Sequence, residues 1–197
     1  MTKIIAELCQ NHNGDIKILE EMVHAASEAG AEIVKIQSML SDDLTHRERF
    51  DKGVKKNDKI ITIERPYKNE YERLKKLDLN DQQHFIFLEY CKKYNVEPMT
   101  TIFSRSRLKF LESLDINIIK VSSFDCASHK MIEDLSNSKF KEIIVSTGCT
   151  FDEEIKKTCN ILNENNKNYS LLHCVSIYPT PLKEVHLNRI EFLRELN

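Results

Sequence analysis

The sequence predicts an α/β fold, a (β/α)8 TIM barrel of which only about six βα units are present in 197 residues. Short β-branched runs alternate with amphipathic segments, which is typical of a parallel sheet covered by helices. Polar residues follow the carboxyl end of each predicted strand, where a barrel builds its functional site. The sequence has no G-x-G-x-x-G fingerprint, and an open doubly wound sheet would gather polar residues mainly at one switch point.

The predicted elements follow one another in a regular order. Six short apolar runs are predicted strands, at about 3–9, 32–37, 98–103, 118–122, 143–146 and 170–175. Helices are predicted at about 16–29, 104–114, 128–138, 151–165 and 187–196, and a further helix begins at Asn80. In the first helix Leu19, Val23 and Ala26 share one face, and Gly30 ends the helix.

The connection between Gln37 and Asn80 is unusually long for a βα loop, which commonly has roughly 2–6 residues. Its first part, "SDDLTHRERFDKGVKKNDK", is highly charged, and its second, "RPYKNEYERLKKLDL", predicts a helix. The charged part is either a lid that faces a substrate or a solvent-exposed loop, and the sequence leaves both interpretations open.

Composition excludes several classes of protein. Lys+Arg is 29 and Asp+Glu is 31, a net charge of −2 that gives no electrostatic case for nucleic acid or an anionic membrane. No apolar stretch approaches the roughly 20 residues of a membrane span, and the first strand begins too early for a signal peptide. Six cysteines without paired spacing predict reduced thiols and a cytoplasmic location.

Two lysines, Lys35 and Lys120, lie near the ends of apolar strands. An unpaired buried ammonium is energetically expensive, so each lysine is expected to face an anion. That anion is either a neighbouring carboxylate, such as Glu7 or Asp125, or a bound phosphate or carboxylate. Two such lysines among hydroxyl residues favour an acidic ligand.

Hydroxyl side chains are concentrated at the same predicted edge. Thr101, Ser123, Ser146 and Thr147 can each donate a hydrogen bond to a phosphate. The sequence "STG" at 146–148 ends a strand before a helix, so free backbone N–H groups could add to an anion site. The same three residues are also common in ordinary turns.

Two carboxylates could act at this edge. Glu7 could be a general base, a clamp for a substrate hydroxyl or the partner of Lys35. Asp125 could order a water molecule, or it could cap the helix near "DCASHK".

Cysteine and histidine residues do not predict a metal site. Four cysteines fall near the carboxyl ends of different strands, at positions 9, 126, 149 and 174, without a C-x-x-C pair. His12 is interpreted as a turn and hydrogen-bonding residue.

Six segments occur in an order that resembles one known family. They are "AELCQNHNGD", "VKIQS", "TTIFSRS", "IKVSSFD", "IVSTGCTFDEEI" and "LLHCVSIYPTP". Together they closely resemble the bacterial sialic acid synthases, that is, N-acetylneuraminate synthases with their legionaminate and pseudaminate relatives. The resemblance extends over essentially the whole chain, and "NHNG" and "YPTP" are its specific parts.

The resemblance implies a TIM-barrel synthase domain, usually followed by a small antifreeze-like domain. It implies condensation of phosphoenolpyruvate with N-acetylmannosamine or a related amino-sugar aldose, with release of phosphate. A divalent metal, Mn²⁺ or Mg²⁺, is expected to polarise the sugar aldehyde. A homodimer is expected for the full-length form.

The matched motifs also carry the family's site residues onto this chain. For phosphoenolpyruvate they indicate Thr101, Lys120, Ser123 and Ser146, with Lys35 and Ser176 beside them. For the sugar they indicate Glu7, Gln37 and Tyr178. Glu7, Lys35, Lys120 and Asp125 are the expected catalytic residues.

The chain also departs from the family pattern. Ile102 stands where Pro is usual, Cys9 where Gly is common, Asp125 where Glu is often found and Ser176 where some members carry Asn. The metal-binding histidines and the antifreeze-like domain are expected beyond Asn197, so residues 1–197 are interpreted as an incomplete barrel domain without metal ligands and with little or no activity alone.

Two alternatives remain open beside a partial sialic acid synthase. One is another phosphoenolpyruvate-dependent synthase of a 3-deoxy-ulosonic acid. The other is a non-catalytic protein that binds an anion or completes a barrel with a second polypeptide. A plain scaffold remains possible only if Lys35 and Lys120 are both paired internally.

Overall fold

A computed structural model describes residues 2–196. Among these residues it contains eight strands, β1–β8, in two sheets. The strands are β1 Ile5–Cys9, β2 Ile33–Ser38, β3 Val54–Lys56, β4 Lys59–Thr62, β5 Glu97–Ile102, β6 Ile118–Val121, β7 Glu142–Ser146 and β8 Tyr169–Leu172. Six of them form one parallel sheet in the order β1-β2-β5-β6-β7-β8, and β3 and β4 form an antiparallel hairpin.

Helices fill the connections of the large sheet. They are α1 Ile16–Glu28, α2 Tyr67–Lys75, α3 Asp81–Lys93, α4 Leu108–Ser113, α5 His129–Ser136, α6 Asp152–Glu164 and α7 Arg189–Glu195. The strand order follows the chain without a reversal, which distinguishes a barrel-type sheet from a doubly wound one. The predicted α/β barrel fold with six βα units is confirmed.

One face of the large sheet carries two stacked layers of side chains. Its apolar layer consists of Ile33, Met99, Ile118 and Ile144, with Ile5 and Leu172 packed against it. Side chains two positions apart on a strand point to the same face. The next layer towards the carboxyl ends is therefore polar, and it consists of Glu7, Lys35, Thr101, Lys120 and Ser146.

The other face of the sheet is buried under the helices. Val34 and Ile36 of β2 pack with Leu19 of α1 and Phe87 of α3 in one apolar cluster. A second cluster joins β6 and β7 to α5 and α6. Because these strands are covered on this face, their outward positions are apolar, as the sequence predicts, except for the buried Ser38 at the end of β2.

Local capping fixes where the first helices begin. Asp15 accepts a hydrogen bond from the backbone N–H of Lys17, 2.7 Å away, at the start of α1. Asn80 and Gln83 form a reciprocal capping box at the start of α3, with both distances at 2.9 Å. The predicted helix start at Asn80 is confirmed.

The long connection after β2 is folded. It contains α2, as predicted, and also the β3–β4 hairpin, which the sequence analysis did not predict. Ser41 donates through its backbone N–H and its hydroxyl to Asp78, with Oγ–Oδ2 at 2.6 Å, and the backbone N–H of Tyr67 donates to Asp51. These bonds tie the two ends of the connection together.

The large sheet has two open edges in the part of the chain that the structure describes. β1 pairs only with β2, and β8 pairs only with β7. Among residues 2–196, no helix combines the length and the apolar character that crossing a bilayer requires.

Candidate active site

The first part of the polar layer is a buried lysine with two partners. The Lys35 side chain is 4% exposed, and its ammonium forms an ion pair with Glu7. Lys35 Nζ also donates a hydrogen bond to Thr101 Oγ1 at 2.8 Å. Of the alternatives left open for Lys35, the structure therefore shows the internal carboxylate partner, Glu7.

Lys120 has a different environment. Its Nζ donates to Ser146 Oγ at 2.7 Å, and it forms no ion pair with any residue in the 2–196 range. Burial and, to a smaller extent, the nearby charge of Lys35 lower the pKa of Lys120. A half-buried ammonium with only a hydroxyl partner favours an anionic ligand at this position.

Strand register places these groups side by side. Gln37, Thr101 and Lys120 are successive partners across β2, β5 and β6, while Glu7 is the partner of Lys35 across β1 and β2. Neighbouring strands are about 4.8 Å apart, so a small acidic ligand can contact several of them at once. The polar layer at the carboxyl edge, called the polar row below, thus brings together five predicted site residues: Glu7, Lys35, Thr101, Lys120 and Ser146.

Ser123 and Ser176 lie around the glycine of the "STG" segment. The backbone N–H of Gly148 donates to Ser123 Oγ at 3.0 Å. A Cβ placed on Gly148 would lie 2.6 Å from Ser176 Oγ and 3.0 Å from Ser123 Oγ. The loops after β6, β7 and β8 therefore meet at this glycine, which leaves no space for a side chain. The sequence left two interpretations of this segment open, an anion site and an ordinary turn, and the Gly148 N–H is used by Ser123.

Asp125 is buried in the loop that follows β6. It accepts a hydrogen bond from Ser122 Oγ at 2.6 Å, and burial raises the pKa of its carboxyl. The N-cap residue of α5 is Ser128, so the capping interpretation of Asp125 is wrong. Its carboxyl instead lines a cavity of about 370 Å³.

Tyr178 stands apart from the other predicted site residues. Its side chain is 96% exposed, in the segment that follows β8. With nearly all of its surface exposed, it does not line the polar row. Its predicted contact with a sugar stays a prediction.

The turn after β1 depends on His12, as the sequence indicates. The backbone N–H of Gly14 donates to His12 Nδ1 at 3.0 Å, and burial lowers the pKa of this histidine. The polar residues that follow β1 thus form a turn, whereas Glu7, inside β1, belongs to the polar row.

A metal centre is not formed by the described residues. Across residues 2–196, no three His, Cys, Asp or Glu side chains are grouped so that they could hold a metal ion. The six cysteines are all free thiols. The donor set in this range therefore does not fit the divalent metal that the sequence resemblance implies.

The apolar surface beside Asp125 was not predicted from the sequence. The cavity beside Asp125 is lined by the long connection and by Phe103 and Phe124. Phe124 is 75% exposed, and the guanidinium of Arg47 lies over its ring, 5.3 Å from the centroid. The unusual length of the connection is the sequence feature that could have indicated this wall.

The chain forms a parallel sheet of barrel type, and lysine, carboxylate and hydroxyl side chains form a row at its carboxyl edge. These features define the class of (β/α)-barrel proteins with a polar binding site. Comparison with known proteins gives the family. Residues 22–196 match the model of the NeuB family, and the chain belongs to that family.

Named relatives match nearly the whole chain. It is 29% identical over 197 residues to N,N'-diacetyllegionaminic acid synthase of Legionella pneumophila, covering 98% of this chain and 54% of that protein. It is 30% identical over 195 residues to pseudaminic acid synthase of Helicobacter pylori, covering 98% of this chain and 56% of that protein. The chain thus spans about half the length of the curated relatives it matches.

The fold is also similar to a solved structure. N-acetylneuraminic acid (sialic acid) synthetase of Leptospira borgpetersenii serovar Hardjo-bovis, crystallised in complex with citrate, superposes with a TM-score of 0.82 at 26% identity. The superposition covers 98% of this chain and 61% of the other. The six-unit sheet therefore corresponds to part of a longer known architecture.

Proposed function

We propose that the full-length protein containing these residues condenses phosphoenolpyruvate with an amino-sugar aldose to give a nonulosonic acid and phosphate. The observation that carries this proposal is Lys120. It is half-buried and has no carboxylate partner among residues 2–196, yet it lies between Thr101 and Ser146 in a row of donors. Family membership and the names of the relatives support the same reaction class.

The phosphate and carboxylate of the enolpyruvate would occupy the Lys120 side of the row. Lys120, Thr101 and Ser146 supply a charge and hydroxyl donors there, and Ser123 is held nearby by the N–H of Gly148. Charge-assisted hydrogen bonds of this kind are roughly twice as strong as neutral ones. Ser176 packs against the same glycine and would complete that wall.

The aldose would approach from the Glu7 and Gln37 side. Glu7 is 44% exposed while its partner Lys35 is buried, so its Oε1, which also accepts from the backbone N–H of Cys9, can be reached by a sugar hydroxyl. Release of phosphate from the condensation requires a water molecule for the atoms to balance. We assign to the buried Asp125 the role of holding that water, and to Tyr178 a sugar contact made when its segment is covered.

The remaining expectations are proposals of the same kind. Residues 1–197 would form the larger part of a synthase-type TIM-barrel domain in a cytoplasmic homodimer that binds neither nucleic acid nor membranes. The family resemblance implies Mn²⁺ or Mg²⁺, but the described residues do not fit such a site, and the roles above use only the chain's own side chains.

The decisive test is binding of phosphoenolpyruvate to a Lys120→Met variant. Loss of a charged hydrogen-bond donor costs about 1.5–3 kcal/mol, so we expect affinity to fall roughly 10–100-fold by calorimetry. Lys167→Met is the matched control, because Lys167 is also partly buried but donates to the Ser138 carbonyl, away from the polar row. Unchanged affinity in Lys120→Met would overturn the proposal.

A non-catalytic anion-binding role is the second candidate. The ion pair of Lys35 with Glu7 favours it, because that lysine is already neutralised within the protein. Lys120 argues against a plain scaffold, because it lacks such a partner in the described range. Binding of phosphoenolpyruvate without phosphate release, in the presence of a range of amino-sugar aldoses, would select this second candidate.

A further inference from the structure

Three buried side-chain nitrogens have no hydrogen-bond partner within residues 2–196. They are Nε2 of His12, Nε2 of His84 and Nε of Arg107, on residues that are 1%, 1% and 8% exposed. Buried polar groups in folded proteins are nearly always hydrogen-bonded, so each such atom requires an explanation. The fourth atom of this kind in the same range is the hydroxyl oxygen of Ser38, which can turn either to donate or to accept.

The three side chains belong to one cluster. Phe110 contacts two of them, because the Arg107 guanidinium lies 4.0 Å from the centroid of its ring and the edge-on ring of His84 lies 5.3 Å from it. Arg107 Nη2 also donates to Asp81 Oδ1 at 2.7 Å, in the first turn of the helix that carries His84. Burial is the main cause that lowers the pKa of His84, and the charges of Arg107 and His12 lower it further, so His12 lies within electrostatic range of the same ring.

Hydrogen bonds within the cluster fix which of these nitrogens donate. The backbone N–H of Gly14 donates to His12 Nδ1 at 3.0 Å, so neutral His12 carries its proton on Nε2, which is a donor. His84 Nδ1 lies 2.9 Å from the carbonyl oxygen of Asn80, which can only accept, so neutral His84 carries its proton on Nδ1 and its Nε2 is an acceptor. Arg107 Nε is always a donor. The cluster therefore presents two unpaired donors and one unpaired acceptor.

A single water molecule matches this set of groups. Its oxygen can accept two hydrogen bonds while one of its O–H groups donates a third, and buried waters typically make about three. An anion would face the lone pair of His84, and a metal ion would face the N–H groups of His12 and Arg107, so neither fits. We propose that His12, His84 and Arg107 bind one buried water, which accepts from His12 Nε2 and Arg107 Nε and donates to His84 Nε2.

This water site joins the segments that follow three neighbouring strands. His12 belongs to the turn after β1, His84 to α3 at the end of the long connection after β2, and Arg107 to the segment between β5 and α4. Because β1 and β5 carry Glu7 and Thr101 of the polar row, the water holds together backbone segments that leave that row. The inference does not depend on the proposed function, because it concerns the packing of these segments and not the ligand of the row.

A crystal structure of the full-length protein at about pH 8, where both histidines are neutral, tests the site directly. At a resolution that shows ordered water, we expect one water oxygen about 2.7–3.2 Å from all three nitrogens. A direct hydrogen bond between the two imidazole rings, or the absence of a water that reaches all three nitrogens, overturns the proposal.

Nuclear magnetic resonance of the wild-type protein, labelled with ¹⁵N in histidine, is a second test that requires no variant to fold. The ring nitrogen shifts should show neutral His12 protonated on Nε2 and neutral His84 protonated on Nδ1. The opposite tautomer of either ring overturns the proposal, because the donors and the acceptor would no longer match one water.

Arg107→Lys tests the contribution of the Nε–H donor. Lysine keeps a positive charge next to Asp81 but has no N–H at the position of Nε, so the water loses one of its three hydrogen bonds. We expect a lower urea midpoint for Arg107→Lys and a midpoint close to wild type for Arg105→Lys. Arg105 is the matched control, because it is 51% exposed and pairs with Asp134 outside the cluster. Equal midpoints in the two variants overturn the proposal.

Discussion

At the residue scale, the two members of the Glu7–Lys35 ion pair differ in how far they are buried. The Lys35 side chain is 4% exposed and the Glu7 side chain is 44% exposed. Removing the carboxylate leaves a buried ammonium that only Thr101 can satisfy, whereas removing the ammonium leaves a carboxylate that water can reach. The two truncations should therefore differ in their effect on stability.

We predict that Glu7→Gln lowers the free energy of unfolding by about 1–3 kcal/mol, the range for a partner lost from a buried polar group. Lys35→Met keeps the volume of the side chain and removes the buried charge, so it should cost less. Urea denaturation of both variants measures the difference. A larger loss in Lys35→Met than in Glu7→Gln would contradict the prediction.

The atoms around Gly148 leave room for a hydrogen on its Cα but not for a methyl group. In Gly148→Ala the new Cβ would lie 2.6 Å from Ser176 Oγ, 3.0 Å from Ser123 Oγ and 3.1 Å from the carbonyl oxygen of Cys174, so both hydroxyls must move and the carbonyl must shift slightly. We predict a loss of phosphoenolpyruvate affinity of about tenfold or more, with a thermal unfolding midpoint close to wild type because the two serines can rotate towards solvent. Wild-type affinity, measured by calorimetry, would show that neither hydroxyl contacts the ligand.

Buried histidines make stability depend on pH. Burial lowers the pKa of His12 and His84 below 6.5, so the unfolded chain binds more protons than the folded chain as pH falls below that value. Their neutral forms therefore contribute stability that is present above pH 6.5 and is lost on acidification. Protonation of His12 Nδ1 would also remove the acceptor for the Gly14 N–H.

We predict that the urea midpoint falls between pH 7 and pH 5, and that His12→Asn reduces this dependence because Asn can still accept from the Gly14 N–H without titrating. His186→Asn is the control, since the His186 side chain is 63% exposed and its positive φ suits Asn. An equal pH dependence in wild type and His12→Asn would contradict the assignment.

Part of the site could be predicted from the sequence, because a lysine on an apolar strand rarely occurs without an anionic partner. Lys35 and Lys120 were identified from strand position alone, and every member of the apolar layer on the inner face except Leu172 precedes a polar residue by two positions. The partner of Lys35 could not be chosen from the sequence, because a carboxylate and a ligand satisfy an ammonium equally well. Phe124 was missed because an exposed aromatic residue has no periodic signature.

At the scale of elements, the long connection contains a hairpin that could not be identified from its charge-rich sequence. Its hairpin turns at Asn57 and Asp58, which have φ values of 49° and 59°. Two central residues with positive φ are typical of a type I′ turn, and Asn and Asp favour it. The turn residues were therefore visible in the sequence, but the flanking strands have 3 and 4 residues and no clear alternation, so the pattern was too short to identify.

The turn after β1 packs against the end of α2 through Gly14. Its φ is +76°, and a Cβ there would lie 2.4 Å from the backbone carbonyl oxygen of Lys76. We predict that Gly14→Ala destabilises the protein by at least about 2 kcal/mol, since a left-handed conformation alone costs roughly 1–2 kcal/mol for a residue with a side chain.

Chemical denaturation measures this loss, and Gly30→Ala provides the matched comparison. Gly30 also has positive φ, at 86°, but a Cβ there would meet nothing within 4 Å. The difference between the two variants isolates the contact with α2. Equal losses would show that the backbone conformation alone accounts for the effect.

At the scale of the whole molecule, the order of the strands could be predicted from the sequence, but what lies against the two edge strands could not. Each βα unit is encoded locally, by an apolar run, a polar residue and an amphipathic helix, so the six units and their parallel arrangement follow from the pattern. What covers β1 and β8 on their open sides is not encoded in any one unit. In the described residues both edges present unpaired backbone groups.

Open edges predict association of the 197-residue polypeptide when it is expressed alone. Unpaired strand edges pair with other chains, so we expect its sedimentation coefficient to increase with concentration. Ile4 is 56% exposed and directly precedes β1, and Ile4→Lys should weaken this association because a charge on an edge opposes pairing. Ile61→Lys is the matched control, because Ile61 is 62% exposed but lies in the hairpin. If Ile61→Lys and not Ile4→Lys produced a monomer, the hairpin rather than the sheet edge would be the surface that associates.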